Sequence, residues 1–474
     1  MSLLVAEQVA YRYPQNNRGI APVSLRVGAG EALLIQGPSG CGKSTLARCL
    51  TGFVPHLYVG ELQGRVWVNG LPTNTTPLWQ LSEAVGLLFQ NPANQMLTDS
   101  VANEILFGLE NMGLRRDDMR ERLEAVLDQF GLTAMRQRAP LTLSGGEQQR
   151  LALAAVMARQ PEVLVLDEPF SMLDTTAAAD LVADLAQLVD GGTAVVLCEH
   201  RVEALAGLSG LRELQLSGGA EPQGEAQFAW PNEGHGPLTM TVAGLRVRLG
   251  DRPVLTNFNM TAHSGEVVAL VGRNGVGKTT LLRALAGLQT FAGSAEVNGR
   301  PPQFGLVFQN PDWQLFNPSV REEILYRLPE PDMSRYRQLL AALGLGPYEQ
   351  TPPLLLSEGE KKRLALATVL MRQPAHGVLL DEPTLGQDAA HKAILLRLLR
   401  QIADSGQLVL ITTHDLALAA QCDRLVLLGD EGVLADDRPD IVFANSAAWA
   451  RAGLLLPEWL QHHGKRSERH TWPA

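Results

Sequence analysis

The sequence predicts an α/β protein built twice over: two phosphate-binding domains in one chain, each a parallel sheet with a helical insert. Three observations carry that prediction. A glycine-rich phosphate-loop pattern occurs twice, as GPSGCGKST at 37–45 and GRNGVGKTT at 272–280. Short apolar runs end at motif residues in both halves, as strands buried on both faces do. Further blocks recur in one fixed order. VGLLFQNPANQ (85–95) pairs with FGLVFQNPDWQ (304–314), LSGGEQQR (143–150) with LSEGEKKR (356–363), and VLVLDEP (163–169) with GVLLDEP (377–383). VVLCEH (195–200) pairs with LITTHD (410–415). Ordered repetition of this kind marks a duplication.

Bulk properties narrow the class. A chain of 474 residues holds two to four ordinary domains. The composition, 45% hydrophobic and 19% charged, is that of a globular protein. The net charge of −10, with no basic tract beyond the short KRSERH tail, argues against a nucleic-acid partner. The longest apolar stretches fall well short of the roughly 18 residues that span a bilayer. The N-terminal segment lacks the basic-then-apolar layout of a secretion signal. Cys41, Cys49, Cys198 and Cys422 show no paired spacing, so neither a disulfide framework nor a zinc cluster is expected, and a reducing cytosol is.

The segment 217–237, rich in Gly and Pro and poor in apolar periodicity, reads as a linker. The expected domains are therefore 1–218 and 238–474, joined by 219–237. In the first copy EALLIQG, VLVLDEP and AVVLCEH read as buried strands; EVVALVG, GVLLDEP and LVLITTH do so in the second. Between the Gln and Ser motifs, Met119, Leu123, Val126 and Phe130 recur at helical spacing, as do Tyr336, Leu339, Leu340 and Leu343.

Each phosphate loop follows a strand and opens a helical segment, the context that its chemistry requires. Glycines let the backbone wrap a phosphate, while loop N–H groups and the helix N-terminus offer positive dipole. Gly37, Pro38, Ser39, Gly40, Cys41, Gly42, Lys43, Ser44 and Thr45 form the first loop. Gly272, Arg273, Asn274, Gly275, Val276, Gly277, Lys278, Thr279 and Thr280 form the second. Lys43 and Lys278 are expected to reach β- and γ-phosphates of ATP, and Ser44 and Thr279 to bind Mg²⁺. Asp167 and Asp381 end apolar strands and suit the Mg²⁺ shell. Glu168 and Glu382 follow, placed to polarise an attacking water. His200 and His414 each lie 32 residues beyond their glutamate, a repeated spacing that points to a γ-phosphate contact. Cys41 reads first as a small filler in its loop.

This ordered motif set, present twice, resembles two ATP-binding-cassette (ABC) ATPase domains fused in one chain. The resemblance implies that Gln90 and Gln309 link the nucleotide and its Mg²⁺ to the helical inserts, and that 171–174 and 384–388 are D-loops. It also implies head-to-tail pairing of the cassettes. Lys43, Glu168 and His200 would then share a site with Ser357 and Gly359, and Lys278, Glu382 and His414 one with Ser144, Gly145 and Gly146. Tyr13 takes the place of the family's adenine-stacking aromatic, where the second copy has Val247 and Leu249. Glu358, standing where the first signature has Gly145, is expected to tune closure of the Lys43 site without abolishing it.

The FQNPxxQ texture and the segment ADDRPDIVFANSAAWARAGLLLPEW are further similar to the ATPases of energy-coupling-factor importers, which take up vitamins or cobalt and nickel ions. That resemblance implies ATP hydrolysis coupled to transport, a membrane-embedded scaffold and a substrate-capture protein as partners, and a place on the cytoplasmic face of the membrane. The other readings are an ATPase for a sugar or other solute importer, and a soluble tandem ABC protein acting on ribosomes.

Overall fold

A computed structural model describes residues 2–14, 19–38, 40–143, 145–171, 173–200, 205, 207–208, 210–218, 236–250, 252–384, 387–457 and 460. The expected linker falls almost wholly outside these residues, as do Ser39, Ser144, parts of both D-loop stretches and the basic tail. The chain divides into two compact units, Met1–Ala220 and Glu221–Ala474.

In the first unit the apolar runs form a five-stranded parallel sheet. Its order is Val85–Leu88, Val163–Asp167, Ala194–Cys198, Ala32–Gln36 and Arg212–Gln215. The strands Val163–Asp167 and Ala194–Cys198 are buried at every position, which explains their unbroken hydrophobicity. One face packs on a separate antiparallel sheet of Ser2–Arg12, Gly19–Gly28, Glu61–Val68 and Leu71–Pro72, through a core that includes Val9, Tyr11, Leu46 and Val165. The other face packs on helices, through Leu34, Leu164, Leu166 and Leu197. That second core extends into the helical insert, where Leu123, Val126 and Phe130 are buried and Met119 packs against them.

The second unit repeats the plan with one strand more in the main sheet and one fewer in the antiparallel sheet. Its sheet runs Phe304–Val307, Gly377–Asp381, Leu408–Thr412, Val267–Gly272, Arg424–Gly429 and Gly432–Asp437, the last pair antiparallel. A three-stranded antiparallel sheet of Arg252–His263, Thr239–Leu249 and Ala292–Val297 covers one face. Tyr336, Leu339, Leu340 and Leu343 are buried in the helical insert, as their spacing predicts.

The C-terminal segment is chiefly a core element of this unit. Phe443 and Trp449 are buried and stacked with ring centroids 5.5 Å apart, and the indole N–H donates to the Val442 carbonyl at 2.9 Å. Buried aromatics of this kind need their polar handle satisfied, and this one is. In both units the motif-bearing strands end at the same edge of the sheet. This edge, outside the carboxyl ends of parallel strands, is where such sheets bind ligands.

Candidate functional site: two phosphate-loop centres

Each phosphate loop begins where its strand, Ala32–Gln36 or Val267–Gly272, runs out. The helices that follow, Lys43–Leu50 and Lys278–Leu285, have left-handed N-cap glycines: Gly42 at φ 99° and Gly277 at φ 106°. A Cβ on Gly42 would stand 2.2 Å from Ile20, and one on Gly277 2.8 Å from Leu255, so only glycine fits. Gly40 and Gly275 are also left-handed, but a Cβ there would meet nothing within 4 Å. Those two turns face open space rather than protein.

Both lysines lie back on their own loop. Lys43 Nζ donates to the carbonyls of Gly37 at 2.8 Å and Pro38 at 3.1 Å. Lys278 Nζ donates to Gly272 at 2.6 Å and Arg273 at 3.0 Å. Buried ammonium groups require such partners. Cys41 is buried and its Sγ would lie 2.7 Å from a Cβ on Gly37, so it fills the underside of the first loop. All four cysteines are buried and none is in a disulfide. Burial pushes the Cys49 and Cys422 thiols up to about 12 and the Cys198 thiol well above its ordinary value.

The acidic pairs sit at the ends of the Val163–Asp167 and Gly377–Asp381 strands. Glu168 at φ 48° and Glu382 at φ 49° both occupy left-handed backbone that non-glycine residues seldom adopt. Their N–H groups are held by the neighbouring strand, on the carbonyls of Cys198 at 2.8 Å and Thr412 at 3.1 Å. The same strained turn in both units fixes where the carboxylates point.

His200 Nε2 stands 3.4 Å from Glu168 Oε1, and His414 Nε2 stands 3.3 Å from Glu382 Oε1. Gln90 Nε2 donates to Glu168 Oε2 at 2.7 Å. No equivalent bond joins Gln309 to Glu382 among the described residues. There His414 N–H donates to Glu382 Oε2 at 3.1 Å instead. The structure thus brings lysine, Asp-Glu pair and histidine together in each unit, with the glutamine on the carboxylate in the first.

The sequence blocks also hid partners that lie between the matched residues. Thr412 Oγ1 donates to Asp381 Oδ1 at 2.6 Å and accepts from the Glu382 N–H at 3.1 Å. The first unit has Cys198 at this place, and its thiol donates to the Lys43 carbonyl at 3.7 Å. Asp167 Oδ1 is buried without a hydrogen-bond partner. Burial, and next the charge of Glu168, push the Asp167 carboxyl up to about 7, against the pull of its Ser44 hydrogen bond. Burial likewise raises Glu382, with Lys278 opposing.

Glu199, 2% exposed, is a further acid that the motifs passed over. It accepts from the N–H groups of His200 at 2.7 Å and Phe170 at 3.3 Å, holding the backbone around the histidine. The repeat alignment holds the signal, since the second unit has Thr413 in its place.

Tyr13 is half-buried beside the first loop helix. Its hydroxyl lies 3.3 Å from Thr45 Oγ1 and accepts from Arg48 at 3.0 Å, and its ring meets Tyr11 edge-on at 4.8 Å. Tyr11 itself is buried, with its hydroxyl on the Val59 carbonyl at 3.0 Å. In the second unit Val247 is buried and Leu249 is exposed.

The two signature stretches open helices. Gly145–Met157 starts at the first signature, with Gly146 buried. Glu358–Met371 starts at the second, capped by Ser357 in a capping box with Glu360. Glu358 is half-buried at the first helical position, where a carboxylate suits the helix dipole.

In the FQNPxxQ stretches the second glutamine clasps backbone. Gln95 accepts from Phe89 N–H at 2.8 Å and donates to the Leu87 carbonyl at 3.3 Å; Gln314 does the same with Phe308 and Leu306. Buried Glu104 and Glu323 then fasten the following turns through the N–H groups of Leu97 and Thr98, and of Phe316 and Asn317. These residues secure the loop that leads into the helical insert.

Mg²⁺ and a triphosphate fit this donor set. Each centre offers a loop of N–H groups, one lysine, one hydroxyl and one buried Asp, and in the first that Asp keeps an orphaned oxygen. Among the described residues no cluster of three or more His, Cys, Asp or Glu could hold a metal alone. A hydroxyl and a single carboxylate suit an ion shared with phosphates.

The chain matches the ABC transporter family over residues 20–171 and 255–385. It is 36% identical to "Putative ABC transporter ATP-binding protein" of Streptomyces coelicolor, over 93% of this chain and 95% of that protein. It is 30% identical to "Putative HMP/thiamine import ATP-binding protein YkoD" of Bacillus subtilis, over 97% and 96%. An archaeal ribosome recycling factor, aABCE1, solved with the stalk protein aP1, has the same fold. The match has a TM-score of 0.59 at 20% identity and covers 93% of this chain and 92% of that one. Two phosphate-loop centres of like geometry and a family match spanning both make this chain a member of the ABC transporter ATP-binding family, with two cassettes in one polypeptide.

Proposed function

We propose that the chain is the ATP-hydrolysing subunit of a membrane importer of the energy-coupling-factor type, and that its two cassettes close head to tail over two ATP molecules. The observation that carries the reading is the completeness of both centres: each keeps its lysine, Asp-Glu pair and histidine in one geometry. A cassette reduced to a binding module would not need its glutamate and histidine twice.

Bound Mg²⁺ would neutralise charge on the β- and γ-phosphates. Ser44 and Asp167, with Gln90, would hold it in the first centre, and Thr279 and Asp381, with Gln309, in the second. Lys43 and Lys278 exchange loop carbonyls for phosphate oxygens. Glu168 and Glu382 orient and polarise the attacking water, and His200 and His414 contact the γ-phosphate. Tyr13 stacks on one adenine, while Leu249 offers only apolar contact to the other.

In the head-to-tail arrangement Ser357 and Gly359 complete the Lys43 centre. Ser144, Gly145 and Gly146 complete the Lys278 centre. ATP-driven closure and opening after hydrolysis would supply the mechanical stroke. Fusion of the cassettes raises their effective concentration, so one chain suffices for the pair.

No helix among the described residues is long and apolar enough to cross a membrane, so transport needs a membrane partner. Exposed Leu97 follows the first Gln loop and exposed Trp313 and Phe316 the second, an apolar surface for the cytosolic segment of such a partner. The relative named for HMP/thiamine import supports a thiamine precursor as cargo.

The test is co-expression with candidate scaffold and substrate-capture proteins, followed by ATP-dependent uptake of labelled HMP into vesicles. Uptake abolished by Glu168→Gln with Glu382→Gln is the expected result. Co-sedimentation with ribosomes, and none with membranes, would overturn the importer reading.

A further inference from the structure

The signature helices of the two cassettes are fastened to their own catalytic centres in different ways. In the second cassette Lys362 lies five residues beyond Ser357 on the Glu358–Met371 helix and is 4% exposed. Its Nζ donates to the backbone carbonyl of Glu382 at 2.6 Å. Its neighbour Lys361 pairs with Asp312, in the turn after Gln309, at 2.7 Å. One helix thus grips both the catalytic glutamate and the Gln loop of its own cassette.

The first cassette has Gln148 and Gln149 at these places. Gln148 bonds only the carbonyls of Pro140 and Leu143, in the loop before its own helix. Gln149 is 2% exposed, and neither end of its amide has a hydrogen-bond partner. Nothing on that face of the helix reaches Glu168 among the described residues.

We propose that Lys362 is a positioning residue for Glu382, coupling the second signature helix to the catalytic glutamate of the same cassette in a way that the first cassette does not share. This rests on the reading of Glu382 as the water-orienting group and on head-to-tail closure. The physical link is short and stiff. A buried ammonium cannot leave the Glu382 carbonyl without losing a charge-assisted bond in a dry environment. That carbonyl belongs to a residue at φ 49°, whose side-chain direction follows the orientation of its peptide. When Ser357 and Gly359 engage the nucleotide held by Lys43, the helix that carries them carries Lys362 as well. The Glu382 peptide is reset with it, so closure of one centre prepares hydrolysis at the other. The converse signal, from the first signature helix to Glu168, has no such bond. The link is therefore present in one cassette and absent from the other, through a helix whose position both centres bias.

The experiment separates the centres with the full chain. The Glu168→Gln, Glu382→Gln double variant comes first; retained turnover there would sink the reading of the glutamates themselves. With the double variant silent, Lys362→Met is placed in the Glu168→Gln background, where only the Glu382 centre turns over. The expected result is a kcat about tenfold lower, with KM for ATP within about twofold. Gln149→Met in the Glu382→Gln background should leave kcat within about twofold. Lys362→Gln, which installs the residue the first cassette already folds with, guards against a folding defect and should match Lys362→Met. An unchanged kcat for both Lys362 variants would overturn the proposal. So would a kcat loss that tracks a fall in melting temperature, or an equal loss with Gln149→Met, either of which makes the position merely structural.

Discussion

The two cassettes share their lysine, Asp-Glu pair and histidine, and differ in the residues that hold these groups in place. Asp381 is bonded by Thr412, whereas Asp167 faces Cys198 and keeps an unpartnered oxygen. Glu168 is held by Gln90, and Glu382 by the His414 backbone and the Lys362 link. Duplication has preserved the lysines, acids and histidines, while the residues that hold them have diverged. Thr412, Cys198, His414 and Lys362 are buried, so these differences act in a low-dielectric setting where one hydrogen bond matters most.

Glu168→Gln and Glu382→Gln, made singly, should each abolish hydrolysis at one centre by about 10²- to 10⁴-fold. Their effects on total turnover should differ. In the head-to-tail reading the Glu382 centre receives the intact first signature, while the Glu168 centre receives Glu358, whose carboxylate repels the γ-phosphate. Glu382→Gln should therefore remove most of the steady-state ATPase rate and Glu168→Gln the smaller share. Equal losses in a phosphate-release assay would show that the two centres work alike.

Next comes the orphaned Asp167. Its folded pKa of about 7 lies above the ordinary value of 3.8. Between these values the folded chain binds one proton more than the unfolded chain, so stability falls as pH rises, and above about pH 7 the penalty is complete. That difference corresponds to about 4 kcal/mol at most. Asp167→Asn should accordingly raise the melting temperature of the nucleotide-free protein at pH 8 and leave it unchanged near pH 4. A gain of equal size at both pH values would contradict the burial argument.

Exchanging the supports is a sharper test of smaller size. Thr412→Cys would strip Asp381 of its donor and leave the second centre like the first, costing about 1.5–3 kcal/mol of stability. Cys198→Thr should offer Asp167 the missing donor and stabilise by about 1 kcal/mol. Chemical denaturation at pH 8 reads both; effects of the same sign would refute the contrast.

The smallest expected effect concerns adenine. Tyr13→Leu should weaken ATP binding at the first centre by about 1–2 kcal/mol, and Leu249→Tyr should strengthen it at the second by no more. Fluorescent-nucleotide titration in the double glutamate variant measures both. No change on Tyr13→Leu would remove Tyr13 from the site.

Much of this molecule was legible because the physics involved is local. The phosphate loops, the acid-ending strands and the 32-residue spacing to histidine all appear in the fold where the pattern placed them. Buried parallel strands must be continuously apolar, and a loop that wraps phosphate must be glycine-rich, whatever surrounds them. The second glutamines of FQNPxxQ, Gln95 and Gln314, clasp backbone, a structural task that the spacing alone does not reveal. The C-terminal stretch around Trp449 largely fills a core.

What the sequence determined by itself was the duplicated α/β plan and the places of the glycine-rich loops and acid-ending strands, since each depends on spacing within a few turns of chain. Only the tertiary structure decided what supports them. Thr412 reaches Asp381, Glu199 holds His200 and Phe170, and Lys362 reaches Glu382 because separate strands and helices converge at one sheet edge. A hydrogen bond across such a gap depends on tenths of an ångström set by packing, and sequence spacing carries no record of that distance.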